Sequence, residues 1–313
     1  MQQIIKNQFF IAILVYLFIV SLTTLPALSF FQKIRLANEG YKEQMTAYQN
    51  LNIRKRQFIG NFQKMTCNGN LFFQAGAPVT AIHLRDNYLY LSQADNQLVV
   101  INLITPEHPT RFPVPVLTDI YSDTTDIYGT DFFNDRVIRL VFEKEEVVVE
   151  KVYPKIGRAS SLTRDTKGYF YVSGYVSGNI SKILGRDGFF FLPDLNKIVD
   201  LELITGHLVV ARYDAQPTLI SINLTDGKQT VIEEKRSISS LAFDGETLWA
   251  VYDQAGQSQI GKVTSEALID DQVLDCPFPV KVSVGKDRVF YTSLDDSEGK
   301  VYWINKNLQK NGK

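Results

Sequence analysis

The stretch LYLSQADNQLVVINL, Leu89 to Leu103, decides the fold. Apolar and aromatic residues run through Leu89, Tyr90 and Leu91, the polar residues Asp95 and Asn96 interrupt them, and Leu98 to Ile101 resume the apolar run. β-Branched and aromatic residues on both sides of a short Asp-Asn break predict two antiparallel strands joined by a tight turn. Five further segments share the pattern: IYGTDFFNDRVIRLVF from Ile127, FYVSGYVSGNISKIL from Phe170, LVVARYDAQPTLISINL from Leu208, LWAVYDQAGQSQIGKVT from Leu248 and VFYTSLDDSEGKVYWIN from Val289. Counted from Leu89, their starts lie 38, 43, 38, 40 and 41 residues apart. A period near forty built from short strands predicts a ring of four-stranded blades. One such sheet is too small to cover both of its faces, so its neighbours must supply the rest of the core.

Outermost strands are predicted at Arg111 to Val116, Glu146 to Tyr153, Gly188 to Leu192, Gln229 to Glu233 and Asp271 to Asp275. The last repeat holds strands at Val280 to Val284, Arg288 to Ser293 and Lys300 to Asn305, followed by the polar NKNLQKNGK, and so lacks a fourth. Asn70 to Gln74 (NLFFQ) is expected to fill that place and close the ring, which removes an exposed sheet edge. The fold class is therefore all-β, a six-bladed β-propeller over 67–313 closed by an N-terminal strand and preceded by one N-terminal hydrophobic helix. A seventh blade drawn from residues 53 to 78 would lack three strands.

Three repeats place a polar turn ahead of the second strand: Asp86-Asn87 before Tyr88-Leu89-Tyr90-Leu91, Lys167-Gly168 before Tyr169-Phe170-Tyr171-Val172, and Asp244-Gly245 before Leu248-Trp249-Ala250-Val251. In these residues the chain resembles, over about 70–306, the six-bladed propellers of the NHL, gluconolactonase/strictosidine-synthase-like and YncE-like groups. The resemblance is one of architecture. WD-repeat propellers fit less well, since no blade ends in a Trp-Asp pair.

Ahead of the repeats, a tail of residues 1–8 leads into Phe9 to Phe31, which carry no charge over 23 positions. A helix of that length reaches about 34 Å against a hydrocarbon core of about 30 Å, so it can span a membrane. The same segment also reads as a signal peptide cleaved near Ser29, where Ala27 and Ser29 supply the small residues that cleavage requires. Phe31, Ile34, Asn38, Tyr41, Met45, Tyr48 and Asn52 recur at spacings of three and four, which predicts a helical stalk over 32–66 capable of self-association and favours the anchor. Lys33, Arg35 and Lys42 against Lys6 would by themselves place the propeller in the cytoplasm. A large domain behind such a segment is ordinarily exported, however, and long domains cross largely regardless of charge. The expectation is a single-pass membrane protein with its propeller on the extracytoplasmic side, the alternative being secretion after cleavage.

Charge narrows the partners. With 33 Lys+Arg against 34 Asp+Glu the net charge is −1, so no basic surface recruits nucleic acid. Aromatic residues at 12 % supply ample core and exclude a disordered chain.

Chemistry is sparser. The loops between second and third strands carry Asp95, Asp131, Asp135, Asp214, Asp253 and Asp295, which would converge near one rim as ligand-binding groups, with Ca²⁺ as a conceivable cofactor because it takes six to eight oxygens. The competing reading is that Asp favours tight turns through its own side-chain hydrogen bonds. By resemblance, gluconolactonase-like enzymes assemble a metal site from a Glu, an Asn and an Asp on different blades; Glu202 is a candidate for the first, and no matching Asn and Asp stand out. Three His residues (His83, His108, His207) and the absence of a G-x-S-x-G element leave the catalytic residues unassigned. Cys67 and Cys276 flank the ring's seam and are candidates for a disulfide in an oxidising compartment, although strand direction would separate them unless one lies inside its strand. The leading functional expectation is a membrane-tethered scaffold that binds another envelope protein. The alternatives are a metal-dependent hydrolase or lactonase-like enzyme and a small-molecule or glycan-binding propeller.

Overall fold

The computed structural model describes residues 67 and 69–306, except 144–145, 155, 185–186, 193–194, 196, 213–217, 234 and 265–266. The anchor or signal segment 9–31, the stalk 32–66 and Asp214 lie outside the described residues. Six four-stranded antiparallel sheets form the six blades of a β-propeller. Blade 1 comprises β2 (Val79–Arg85), β3 (Tyr88–Gln93), β4 (Gln97–Asn102) and β5 (Thr110–Pro113). In blade 2 the strands are β6 (Ile120–Ser122), β7 (Ile127–Asp131), β8 (Arg136–Glu143) and β9 (Glu146–Pro154). Blade 3 runs through β10 (Ala159–Arg164), β11 (Phe170–Gly174), β12 (Ile180–Leu184) and β13 (Asp187–Leu192), and blade 4 through β14 (Ile198–Ile204), β15 (His207–Arg212), β16 (Thr218–Asn223) and β17 (Gln229–Glu233). Blade 5 holds β18 (Ile238–Phe243), β19 (Leu248–Gln254), β20 (Gln257–Val263) and β21 (Leu268–Pro277). Blade 6 combines β22 (Val280–Val284), β23 (Arg288–Ser293) and β24 (Lys300–Asn305) with β1 (Asn70–Gln74), which pairs antiparallel with β24 from Asn70 opposite Trp303 to Gln74 opposite Lys300.

The first strands of successive blades line a central channel, with β22 packed back against β2. Six hydrophobic clusters fill the spaces between blades. Trp249 and Val251 of blade 5 meet Val282 and Tyr291 of blade 6, and Val79 and Leu91 of blade 1 meet Phe290 and Val301 of blade 6. Blade contacts thus carry the core, as the repeat requires.

A second device joins the blades. In blades 1, 3, 4 and 5 the pairing of the first two strands slips by one residue, leaving Thr80, Ser160, Val199 and Ser239 as bulges. A bulge re-aims the side chains beside it. Three of these residues donate a hydroxyl proton to a carbonyl of the next blade: Thr80 Oγ1 to Leu117 O at 2.6 Å, Ser160 Oγ to Ile198 O at 3.1 Å and Ser239 Oγ to Val280 O at 2.6 Å. Thr118 does the same from blade 2, to Ala159 O at 3.3 Å. One position further, a second ring of bonds runs the opposite way. Leu162 N donates to Asp119 Oδ2 (2.9 Å), Leu201 N to Ser161 Oγ (3.2 Å), Leu241 N to Asp200 Oδ2 (2.9 Å) and Val282 N to Ser240 Oγ (3.3 Å). The equivalent residue in blade 6 is Lys281, which has no acceptor, and the blade 6 to blade 1 joint is made instead by Leu84 N donating to Ser283 Oγ at 2.8 Å.

Candidate functional site

The strand positions that carry the second ring also gather the channel's charge. Asp119, just ahead of β6, Asp200 of β14 and Lys281 of β22 are all directed inward at a cavity of about 310 Å³, together with Glu202 and His83. Lys281 Nζ donates to Asp200 Oδ2 at 2.9 Å, with the side chains only 10 % and 5 % exposed. Such a pair is costly to desolvate and is held by its remaining hydrogen bonds. Asp200 also takes the amides of Leu201 (3.0 Å) and Leu241 (2.9 Å) and the hydroxyl of Ser161 (2.7 Å). Although burial works against it, the Asp200 and Asp119 carboxylates raise the pKa of the Lys281 ammonium above the usual lysine value.

The other acids are pushed toward their neutral forms. Burial, then the charges of Asp200 and Asp119, lift Glu202 to about 8, despite hydrogen bonds to its Oε1 from Leu203 N and Thr163 Oγ1, both at 3.2 Å. Burial and the Asp200 charge lift Asp119 to about 6. His83 is pushed down to about 4 by burial and by Arg85, and its Nε2 lies 2.7 Å from Ser122 Oγ. At neutral pH the cavity therefore contains an ion pair, an Asp119 that has largely lost its proton, a protonated glutamic acid and a neutral imidazole.

The cavity opens toward the hairpins that join first and second strands. There it meets a second cleft of about 880 Å³ between blades 3 and 4, and the two share Tyr121, Glu202 and Phe243. Lys182 Nζ lies 4.4 Å from the centre of the Tyr169 ring in this second cleft. Arg164, which lines it too, is paired with Asp123 and stacked 4.9 Å over Phe170. Phe243 is 38 % exposed, an aromatic face at the junction of the two spaces.

The acidic loop residues expected from the sequence lie elsewhere. Asp95 is exposed in its turn. Asp131 is fully buried, but its oxygens take Asn134 Nδ2 (2.9 and 2.8 Å) and Arg136 Nε (2.8 Å) within its own turn. Asp135 Oδ1 receives the amides of Ile156 (3.1 Å) and Arg158 (2.6 Å), and Asp253 Oδ1 that of Gly256 (2.8 Å). Asp295 is half-buried, and burial raises its pKa. Among the described residues no three His, Cys, Asp or Glu side chains are grouped to hold a metal ion. Glu202 sits on an inner strand in the channel. His207 Nδ1 lies 3.2 Å from Ser221 Oγ, away from it. Cys67 and Cys276 are joined in a disulfide with Cα atoms 4.3 Å apart; β21 runs on through Cys276 to Pro277, past the predicted end at Asp275, which carries the thiol across to the opposite terminus.

Asp119, Ser161, Asp200 and Lys281 were not among the residues singled out from the sequence. A signal for them exists: aligned on the forty-residue period, they and Ser240 occupy one column in or just ahead of the first strand, where a polar residue interrupts the apolar run in five of the six repeats, Ala81 holding the place in blade 1.

No family model matches the chain, and no curated protein sequence does either. Among solved structures it is similar to virginiamycin B lyase from Staphylococcus aureus, at 14 % identity and a TM-score of 0.54 over 77 % of this chain and all of that one. A structural-genomics target named for gluconolactonase matches at 11 % identity and a TM-score of 0.59, over 79 % of this chain and 94 % of that one. The PQQ-bound aldose sugar dehydrogenase of Streptomyces coelicolor matches at 12 % identity and a TM-score of 0.55, over 77 % and 97 %. The chain is a β-propeller that resembles the gluconolactonase-like group, and at these identities the likeness is one of fold.

Proposed function

We propose that this protein is a membrane-tethered, extracytoplasmic propeller that binds a small hydroxyl-rich ligand, of saccharide or lactone type, where the channel cavity meets the cleft between blades 3 and 4. The observation that carries this reading is the shared corner of Tyr121, Glu202 and Phe243. An aromatic face for ring C–H groups beside a protonated carboxylic acid that can donate and accept is the mixed lining such ligands require. Glu202, neutral up to about pH 8, is also suited to act as a general acid, which supports an enzymatic version of the same site. Placement outside the cytoplasm is supported by the Cys67–Cys276 disulfide, since such bonds persist in oxidising compartments.

Calorimetric titration with a panel of neutral mono- and disaccharides and lactones tests the site. Binding that is lost in Glu202→Gln and in Phe243→Ala, with the fold retained, is the expected result. Affinity unchanged in both variants would remove the site from the reading, and hydrolysis of a panel member abolished in Glu202→Gln would add turnover to it.

A protein partner in the envelope is the second reading, favoured by a different surface. The outermost strands of blades 4, 5 and 6 expose Val231 (47 %), Ile269 (52 %), Val273 (50 %) and Leu71 (54 %). Cross-linking in intact cells that traps the same partner with the parent protein and loses it with Ile269→Asp would support this surface. Equal capture by both would count against it.

A further inference from the structure

Ser161 lies between two acids. Its Oγ is 2.7 Å from Asp119 Oδ2 and 2.7 Å from Asp200 Oδ1, and it accepts from Leu201 N at 3.2 Å. A serine hydroxyl has one proton and two lone pairs, so it cannot donate to both carboxylates at once. With both acids ionised, one of the 2.7 Å contacts would set lone pair against lone pair in a buried site. Turning the hydroxyl toward Leu201 O, 3.4 Å away, would leave both contacts in that state.

Protonation of one acid satisfies the count, and the other hydrogen bonds decide which. Asp200 already accepts at four places, from Leu201 N and Ser161 on Oδ1 and from Leu241 N and Lys281 on Oδ2, which fills the lone pairs of a carboxylate and leaves no room on it for the proton. Asp119 accepts one amide on each oxygen, Ile120 N on Oδ1 and Leu162 N on Oδ2, both at 2.9 Å. Its Oδ2 has room for a proton aimed at Ser161.

We propose that Asp119, Ser161 and Asp200 hold one shared proton in the channel wall, Asp119 donating to Ser161 and Ser161 to Asp200, and that this proton sets the charge of the cavity and tightens the joint between blades 2, 3 and 4. Other groups facing the cavity do not replace it. Lys281 of β22 is committed to Asp200, and Glu202 of β14 is itself protonated near neutral pH. From β2, His83 is neutral and Arg85 is turned to Thr124 O at 2.6 Å. Tyr121 of β6 is pushed up to about 12 by burial and by Glu202. At the outer end of β10, Arg164 is bound to Asp123, and among the described residues β18 presents no titratable side chain to the cavity. Loss of the proton leaves two anions on one hydroxyl and gives the cavity a net negative charge. The effect on ligand choice rests on the cavity being the ligand site; the proton does not, and the following test reads the proton alone.

Denaturant titrations of the oxidised full chain from pH 4 to 8, in a Glu202→Gln, His83→Gln background that removes two other groups whose folded pKa is displaced across this range, read Asp119 as the difference between that protein and the same protein carrying Asp119→Asn. Its folded pKa of about 6 stands above the ordinary 3.8, so the folded state keeps a proton that the unfolded chain releases. Its contribution to stability is therefore complete below pH 3.8 and falls away as pH rises to about 6, by on the order of a hundredfold in the folding equilibrium constant. Adding Asp119→Asn should lower stability by a constant offset, because an amide cannot both donate to Ser161 and accept from Leu162 at one atom, and should abolish the step. A step of undiminished size in that variant overturns the proposal. Should Asp119→Asn not fold, infrared spectra of the Glu202→Gln protein decide instead. A buried carboxylic-acid carbonyl band at pH 5 that fades through pH 6 supports the shared proton, and absence of the band at pH 5 overturns it.

Discussion

Asp200 touches more of the molecule than any residue of its size would suggest. Through Ser161, Leu241 and Lys281 it links its own blade 4 to blades 3, 5 and 6. Its partner cannot be removed without leaving a buried charge, and breaking a buried pair from one side typically costs about 3–5 kcal/mol. Lys281→Met is therefore expected to destabilise the protein by about that amount at pH 7. Urea titrations of the parent and the variant at pH 7 check this, and an unchanged midpoint would show that the buried pair contributes nothing net to stability.

At the scale of the strand, the bulge is the working unit. Without the extra residue in the first strands, the side chain that reaches the next blade's carbonyl and the one that enters the channel could not be consecutive in sequence, because strand neighbours point to opposite faces. Thr80, Ser160 and Ser239 use the bulge to donate across a blade joint, whereas Val199 occupies the same position in blade 4 without a hydroxyl. Val199→Thr places a hydroxyl where the pattern of the other blades aims it at Ile238 O. A gain of about 0.5–1 kcal/mol, the net worth of one hydrogen bond, is expected in thermal or chemical denaturation. A loss would mean that the half-buried valine methyl contributes more by packing. The bulges left no mark that strand periodicity could reveal, since one inserted Ser or Thr in an alternating strand resembles an ordinary polar position.

For the molecule as a whole, the problem is closure. A ring held only by neighbour contacts can open at any joint, and this one is joined at blade 6 by β1 and pinned beside it by Cys67 and Cys276, 209 residues apart. A cross-link of that span restricts the unfolded chain strongly, so Cys67→Ser with Cys276→Ser is expected to lower stability by about 2–5 kcal/mol, with unfolding still in one step. Thermal denaturation of the oxidised protein and the double variant measures it. Identical midpoints would show that β1 alone holds the seam.

The sequence by itself determined the repeat, and with it the six blades, because strand alternation and turn residues are local properties that each forty-residue segment states independently. Val280 to Val284, Arg288 to Ser293, Lys300 to Asn305 and Gln229 to Glu233 were readable to the residue for this reason. Glu202 was visible as an acid on an apolar strand, but its neighbours were not. Turn aspartates such as Asp131 and Asp253 were equally visible, but a carboxylate that holds its own loop and one that awaits a ligand look alike in a linear string. Only the tertiary structure decided that Asp119, Ser161, Asp200 and Lys281 meet. Their contacts join residues that belong to different blades and reach each other across the channel, and a burial strong enough to move a proton exists only once the ring has closed around them.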